Sequence, residues 1–129
     1  MRVAVIVFTI ASCVLWLQRP AFADEVSSDA PRTWFVVEIH VGPGWDESIS
    51  PYEQAYFKEH SAHLNELRSA GHIVMGARYS DVGLLVFSAR SAEEIGALMD
   101  QDPSMQAGTF SYEIYPMNVF YPGLVGDKK

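Results

Sequence analysis

The order of predicted strands and helices constrains the fold of this chain more than any other feature of its sequence. A first strand is predicted over Thr33 to Val41, because β-branched and aromatic residues alternate there between two faces. A helix is predicted from Ser50 to Ala70, since Ser50 and Glu53 form a capping box and Gly71 provides a left-handed stop. The domain therefore begins with a strand followed by a long helix.

The second half of the sequence predicts a hairpin, a short helix and a final strand. Ile73 to Tyr79 and Val82 to Ser88 flank a tight turn, which is typical of an antiparallel hairpin. Ser91 and Glu94 form a second capping box, and a helix is expected to follow it. The remaining predicted elements are that helix through Asp100, a single helical turn over Pro103 to Ala107 and a strand over Thr109 to Tyr115.

Together these elements give the order β-α-β-β-α-β. This order is typical of the ferredoxin-like α+β arrangement, a four-stranded antiparallel sheet with two helices on one face. Two helices cover only one face of such a sheet, yet the first and third strands are apolar on both faces. A large exposed apolar face usually marks an interface. We therefore expect a homodimer that forms through the open sheet face.

The first 23 residues have the pattern of a secretory signal peptide. Arg2 gives a positive start, Val3 to Leu17 is a mostly apolar run of 15 residues, and Ala21-Phe22-Ala23 is a cleavage signature. A membrane anchor needs about 20 apolar residues, so this run is short for one. A lipoprotein acylated at Cys13 is a further alternative, although the apolar run continues beyond Cys13. We expect cleavage after Ala23 and a secreted or periplasmic protein.

The predicted mature chain consists of a flexible leader over residues 24–32 and one domain over residues 33–129, with a C-terminal tail from about residue 117. All 16 acidic residues lie after residue 23, against seven of the nine basic ones. This balance excludes a protein that binds nucleic acid or an anionic membrane through phosphate contacts, and no membrane association is expected after cleavage. The single cysteine lies in the signal segment, which excludes a disulfide scaffold and thiol chemistry.

Two groups of residues resemble the signature of a known family. The helix segment His60-Ser61-Ala62-His63-Leu64 is similar to an Arg-x-x-His-Leu motif. The later segments Ser91-Ala92-Glu93-Glu94, Asp102-Pro103 and Ala107-Gly108-Thr109-Phe110 are similar to Ser-x-Glu-Glu, Asp-Pro and Ala-Gly-x-Phe motifs. In these motifs the chain resembles the YCII-related family. The resemblance implies a dimeric α/β barrel built from ferredoxin-like protomers, and an active-site pair formed by His63 and Asp102.

The sequence also departs from the family pattern. His60 replaces the usual arginine, the hairpin over residues 75–83 is shorter than the family's loop, and an export signal precedes the domain. Structural roles remain open for both members of the implied pair. His63 can pair with Glu59 or Glu66 on its own helix, and Asp102 can cap the following helical turn.

The chemistry that a His-Asp pair supports is proton transfer. The carboxylate fixes the imidazole tautomer, and the imidazole exchanges a proton near neutral pH. No G-x-S-x-G motif and no mature cysteine is present, so no covalent nucleophile is expected. The sequence thus favours general acid–base chemistry on an unidentified small molecule, such as that of an isomerase, a lyase or a dehydrochlorinase-like enzyme.

A non-enzymatic ligand- or metal-binding module is the alternative function. In this alternative, His40, His60 and His63 share a transition metal. A carboxylate such as Glu38 or Glu59 completes the set. No cofactor is predicted, because no phosphate-binding glycine loop is present. The candidates for ligand contacts are His60, His40, Glu38, Tyr56 and Arg78.

Overall fold

The computed structural model describes residues 30–123, which form four strands, three α-helices and one 3-10 turn over Pro51–Glu53. The strands are β1 (Thr33–Val41), β2 (Ile73–Tyr79), β3 (Val82–Ala89) and β4 (Phe110–Pro116). The helices are α1 (Phe57–Ser69), α2 (Ala92–Met99) and α3 (Pro103–Gln106). The predicted order of elements is confirmed, with α3 as the expected additional turn.

The four strands form one antiparallel sheet in the order β2-β3-β1-β4. This topology, together with the helices, confirms the predicted ferredoxin-like α+β fold. Alternate residues of β1, namely Phe35, Val37 and Ile39, are buried and form the centre of the core. The other buried members of the core are Leu67, Ile73, Leu85, Phe87, Ala89, Ile95, Met99 and Phe110.

The register of β1 decides which polar side chains lie on the outer face of the sheet, away from the core. Residues directly opposite each other in an antiparallel pair share a face. Glu38 is opposite Glu113 of β4, and it alternates with the buried Val37 and Ile39. Glu38, His40 and Glu113 therefore lie together on the outer face.

The first helix begins later than the sequence predicts. The expected capping box is present, since the Glu53 carboxylate accepts from the backbone N–H and the hydroxyl of Ser50 at 3.2 and 2.7 Å. It closes only the 3-10 turn, and α1 starts at Phe57. The reason is the buried Gln54, whose side-chain amide bonds both backbone groups of Asp46 and whose own backbone is extended.

The other predicted boundaries agree with the structure closely. β1 and β2 have the predicted bounds, β3 extends one residue further to Ala89, and β4 begins one residue later at Phe110. The hydroxyl of Ser91 accepts from the N–H of Glu94 at 3.3 Å, which confirms the second capping box. Gly108 has a φ of +72° and separates α3 from β4, as expected of a left-handed stop.

The loop after β1 holds the junction between α3 and β4 against the sheet. The N–H groups of Gly42 and Gly44 donate to the carbonyl oxygens of Thr109 and Gly108 at 2.9 and 2.8 Å. A Cβ atom at Gly42 would clash with the carbonyl oxygen of Gly108, so only glycine permits this close approach. The contact fixes the end of α3 and thereby helps to place Asp102.

After β4 the chain follows the outer face of the sheet. The N–H of Met117 donates to the carbonyl oxygen of Trp34 at 2.9 Å. Val86 is 1% exposed, although its register places it on the outer face. The tail and the sheet border a cavity of about 560 Å³, so the outer face is only partly open. The cavity is lined by Trp34, Met75, Val86, Met117, Val119, Tyr121, Pro122 and Gly123.

Within residues 30–123, none of the helices has the length and apolar character that a membrane crossing requires. The predicted signal peptide and Cys13 lie outside the described residues, as does the chain beyond residue 123. Cleavage after Ala23 therefore stays a prediction.

Candidate functional site

Asp102 lies at the beginning of α3, where the local sequence favours a helix cap. Because it precedes Pro103, its backbone is extended, with a ψ of 119°. Its Oδ1 atom accepts from the N–H of Ser104 at 2.9 Å and from the hydroxyl of Ser104 at 2.7 Å. Asp102 is fully buried. The predicted cap is therefore confirmed.

The second carboxylate oxygen of Asp102 binds a histidine of α1. Nδ1 of His60 lies 2.6 Å from Oδ2 of Asp102, and His60 is only 7% exposed. An ionised carboxylate only accepts hydrogen bonds, so Nδ1 carries a hydrogen and the neutral ring has its lone pair on Nε2. The ring packs against Phe110 with the centroids 4.6 Å apart. Among the described residues, Nε2 of His60 has no hydrogen-bond partner.

The hydrogen bonds around Asp102 outweigh the cost of burying its charge. Burial raises the pKa of this carboxyl, whereas the hydrogen bonds from His60 and Ser104 lower it. The net result is a pKa below the ordinary value of 3.8. Asp102 is therefore ionised at neutral pH, and it is the acceptor that the Nδ1–H tautomer of His60 requires.

The structure joins Asp102 to His60 and not to the expected partner, His63. His63 is partly buried, and its Nε2–H donates to the carbonyl oxygen of Leu98, near the end of α2, at 2.9 Å. Residues three apart on a helix differ by about 60° around its axis, so the two histidines reach different neighbours. The implied pairing is thus corrected. The ion pairs of His63 with acidic residues of its own helix are also not seen in the described chain.

The arrangement around His60 supports proton transfer and does not provide a serine nucleophile. Asp102 on the Nδ1 side stabilises a charged imidazole, and the lone pair of Nε2 can accept a proton. The Oγ atom of Ser104 lies 3.2 Å from Nδ1 and gives its hydrogen to Asp102. It is therefore on the wrong side of the ring to be activated by Nε2.

Phe110, which packs against His60, also lines a cavity of about 500 Å³. In the same cavity, the hydroxyl of Tyr112 donates to Oδ1 of Asp100 at 2.6 Å. Burial and this hydrogen bond raise the pKa of Tyr112 to about 12, so the phenol stays protonated at neutral pH. His60 and Asp102 do not line the cavity themselves. Its other lining residues are Pro43, Met105, Gln106, Gly108 and Ser111.

The three histidines of the alternative metal-binding function do not come together. His60 and His63 belong to α1, whereas His40 lies on the outer face of the sheet. There, Nε2 of His40 is 3.4 Å from Oε2 of Glu38 and 3.9 Å from Oε2 of Glu113. The grouping of three histidines is therefore corrected to one histidine and two carboxylates. Sequence reasoning misses Glu113, because only the register of β1 and β4 places it opposite Glu38.

The two remaining ligand candidates, Tyr56 and Arg78, do not join either cluster through their side chains. Tyr56 is exposed at the start of α1 with a φ of 62°, and its backbone carbonyl accepts from the N–H of His60 at 2.9 Å. Arg78 is exposed near the β2–β3 turn, opposite Gly83. Within residues 30–123 its side chain forms no hydrogen bond or ion pair.

Residues 39–118 match the family described as the YCII-related domain. The match covers more than half of the chain, from the end of β1 to just beyond β4. The chain belongs to the YCII-related family. Comparison with curated protein sequences gives no match.

Membership of the YCII-related family confirms the resemblance that the sequence motifs indicate. The matched region contains His60, His63 and Asp102, so both helix histidines and the capping carboxylate are parts of the YCII-related domain. The contact with Asp102 arises at His60, the position where the family motif has arginine. An imidazole thus stands where the family motif has a permanent cation.

Proposed function

We propose that this YCII-related protein is a small-molecule enzyme in which His60 is the general acid and base and Asp102 orients it. One observation carries the proposal: the 2.6 Å contact between Nδ1 of His60 and Oδ2 of the fully buried Asp102. This contact makes Nε2 the nitrogen that exchanges protons. The role that the family resemblance implies for His63 is thereby assigned to His60.

The buried carboxylate supports proton transfer in two ways. It holds the ring of His60 in the tautomer whose Nε2 is unprotonated, and it stabilises the imidazolium that forms when Nε2 accepts a proton. Charge-assisted hydrogen bonds of this kind are short and strong, in agreement with the observed distance. A positioned acid or base of this type contributes about 10²–10⁴-fold to a rate.

The proposed chemistry is the removal and return of a proton at carbon. The pair lacks an adjacent nucleophile, since Ser104 is bonded on the Nδ1 side. Isomerisation, elimination and addition each include a step in which an acid or a base moves a proton to or from a carbon atom. The substrate class is therefore a small molecule with a C–H bond that is acidified by a neighbouring unsaturated group.

We place the substrate in the cavity beside Phe110. This cavity of about 500 Å³ combines the apolar Met105 and Phe110 with the protonated hydroxyl of Tyr112. Phe110 lines this cavity and also packs against the ring of His60, with the ring centroids 4.6 Å apart. Residues from α3 and β4 thus form most of the proposed substrate space.

We also propose that the mature protein is exported and forms a homodimer through its outer sheet face. The charge pattern and the cleavage signature of residues 1–23 support export. Exposed aromatic and aliphatic side chains on the outer face and the tail support the interface. They are Trp34, Tyr79, Tyr115, Val119, Phe120 and Tyr121.

The proposed activity is tested by proton exchange. Purified protein is first screened by thermal shift against small unsaturated acids, enones and phenols, because a ligand that binds the folded state raises its stability. Each stabilising compound is then incubated with the protein in D₂O and followed by NMR. We expect the wild-type protein to catalyse exchange of a substrate C–H proton for deuterium.

Three matched variants assign the exchange to particular residues. His60→Gln and Asp102→Asn are expected to slow exchange by about 10²-fold or more. His63→Gln is the control and is expected to retain it, since its ring bonds only the carbonyl oxygen of Leu98. Loss of exchange in the His63 variant alone would assign the acid–base role to His63. Binding without exchange in every compound would favour the non-enzymatic ligand-binding alternative.

A further inference from the structure

A second cluster of polar side chains lies on the outer face of the sheet, on the side opposite the His60–Asp102 pair. It is formed by Glu38 and His40 of β1 and Glu113 of β4. One ligand atom from each of these residues lies within 4.8 Å of the other two. The cluster therefore brings one nitrogen and two carboxylate oxygens from adjacent strands toward a common point.

The two carboxylates of this cluster form an unfavourable pair. Glu38 and Glu113 are direct cross-strand partners, and like charges in this position repel each other. Among the described residues, neither carboxylate is paired with a lysine or an arginine. His40 is the basic group that they face, at 3.4 and 3.9 Å. A bound cation would remove the repulsion.

The nitrogen of His40 is an independent indication of a ligand. The His40 side chain is 36% exposed, but its Nε2 atom is buried and has no hydrogen-bond partner in the described structure. The nearest carboxylate oxygen, Oε2 of Glu38, lies 3.4 Å from Nε2, and this contact is too long or too poorly aligned to be a hydrogen bond. A buried polar atom without a partner is costly, and a metal ion is a partner that an imidazole nitrogen accepts.

Two tyrosines hold the carboxylates in position. The hydroxyl of Tyr79 donates to Oε1 of Glu38 at 2.6 Å and leaves Oε2 on the side of His40. The hydroxyl of Tyr115 donates to Oε2 of Glu113 at 2.6 Å. Such outer hydrogen bonds orient the ligands of metal sites and are a regular part of their construction.

We propose that Glu38, His40 and Glu113 bind a divalent first-row transition metal, with Zn²⁺ as the best fit. One imidazole and two carboxylates are a donor set that zinc accepts, and a fourth position remains on the outer face, which the proposed homodimer also uses. Tetrahedral donors at zinc distances stand about 3.4 Å apart, so the three side chains need only a small movement inward. This site is separate from His60 and Asp102, and it is an addition to the proposed acid–base function.

The site is tested with zinc alone as the probe. Purified protein is treated with EDTA, dialysed and titrated with Zn²⁺ by calorimetry, and Co²⁺ absorption reports the coordination number. We expect one ion per chain with a Kd of about 10 μM or tighter. His40→Gln and Glu113→Gln are expected to weaken binding by about tenfold or more, and Tyr79→Phe by a smaller factor.

Matched controls separate the site from adventitious binding. Glu47→Gln removes an exposed carboxylate of the loop after β1, and His72→Gln removes a histidine outside the cluster, so both are expected to bind Zn²⁺ as the wild type does. Thermal unfolding without metal shows that each variant is folded. Glu113→Gln is a suitable cluster variant, because it removes a repulsive charge and keeps the size of the side chain. The absence of stoichiometric binding, or an affinity unchanged in both cluster variants, would overturn the proposal.

Discussion

Asp102 combines a structural role and a proposed chemical role in one side chain. Oδ1 caps α3 through Ser104, and Oδ2 holds His60. The sequence identifies Asp102 from its position before proline, which is a local feature. It does not identify the partner, because His60 and His63 lie three residues apart on the same predicted helix. Asp102 belongs to the turn between α2 and α3. Which of the two histidines it contacts depends on the side of α1 against which this turn packs.

Replacement of Asp102 by alanine tests the structural role. Asp102→Ala removes the cap of α3 and leaves the buried Nδ1–H of His60 without its acceptor. We expect the free energy of unfolding to fall by about 3 kcal/mol, measured by urea denaturation. Asp102→Asn keeps an oxygen for the cap and is expected to lose less. A loss below about 1 kcal/mol in the alanine variant would show that the buried pair contributes little.

The pH dependence of stability tests the charge of Asp102. Burial raises the pKa of this carboxyl, but the hydrogen bonds from His60 and Ser104 together lower it more, so its pKa in the folded protein is below the ordinary value of 3.8. The resulting stabilisation is complete above the unfolded pKa and is lost as the pH falls through the folded pKa. Urea midpoints measured between about pH 6 and pH 2 should therefore fall less steeply in Asp102→Asn than in the wild type. Parallel curves for the two proteins would contradict this assignment.

At the scale of elements, α1 shows what a capping motif specifies. Ser50 and Glu53 form the expected box, but a box of this kind fits a 3-10 turn as well as an α-helix. The interruption comes from Gln54, whose amide bonds Asp46 eight residues earlier. That contact depends on the path of the loop before the helix. The helical periodicity of the sequence gives no information on this path. The chain then enters α1 through the left-handed backbone of Tyr56.

Strain at Tyr56 gives a prediction for the start of α1. A residue with a side chain at a φ of 62° is destabilised by about 1–2 kcal/mol, whereas glycine adopts this region freely. Glycine costs about 0.5–1 kcal/mol through chain entropy, so Tyr56→Gly should raise the free energy of unfolding by about 0.5 kcal/mol. Tyr56→Ala is the control, because it removes the ring and keeps the strain. Equal changes in the free energy of unfolding for the two substitutions, measured by urea denaturation, would rule out backbone strain at Tyr56.

Strand alternation explains why two of the three residues in the outer-face cluster are predictable. Glu38 and His40 are recognisable as same-face neighbours, since residues two apart on a strand share a face. Glu113 joins them only through the pairing of β4 with β1, which brings residues 75 positions apart directly opposite each other. The pairing of strands that are distant in sequence is determined by the whole sheet. The sequence of one strand does not identify its partner strand.

At the scale of the whole molecule, local patterns predict the fold and tertiary packing decides the sites. The order of elements follows from alternation, capping boxes and glycine stops, all of which are short-range features. The path of residues 117–123 along the outer face is not predicted, because that segment has no regular pattern. Its presence narrows the surface on which a second copy of the chain can dock.

The proposed homodimer is tested by its mass. Light scattering at micromolar concentration should give twice the mass of the single chain. Trp34→Glu places a charge on the outer sheet face and is expected to yield the monomer. Tyr52→Glu changes an exposed aromatic residue of the 3-10 turn and is the matched control, which should remain dimeric. A wild-type mass equal to that of one chain would contradict the dimer.

The central claim is that Asp102 holds His60 with an unprotonated Nε2, and the imidazole ¹⁵N spectrum tests it most directly. In the wild-type protein we expect the ring of His60 to carry its hydrogen on Nδ1. Its signals should disappear in His60→Gln, persist in His63→Gln and change to the Nε2–H pattern in Asp102→Asn. A wild-type spectrum in which the ring lost in His60→Gln carries its hydrogen on Nε2 would contradict the account.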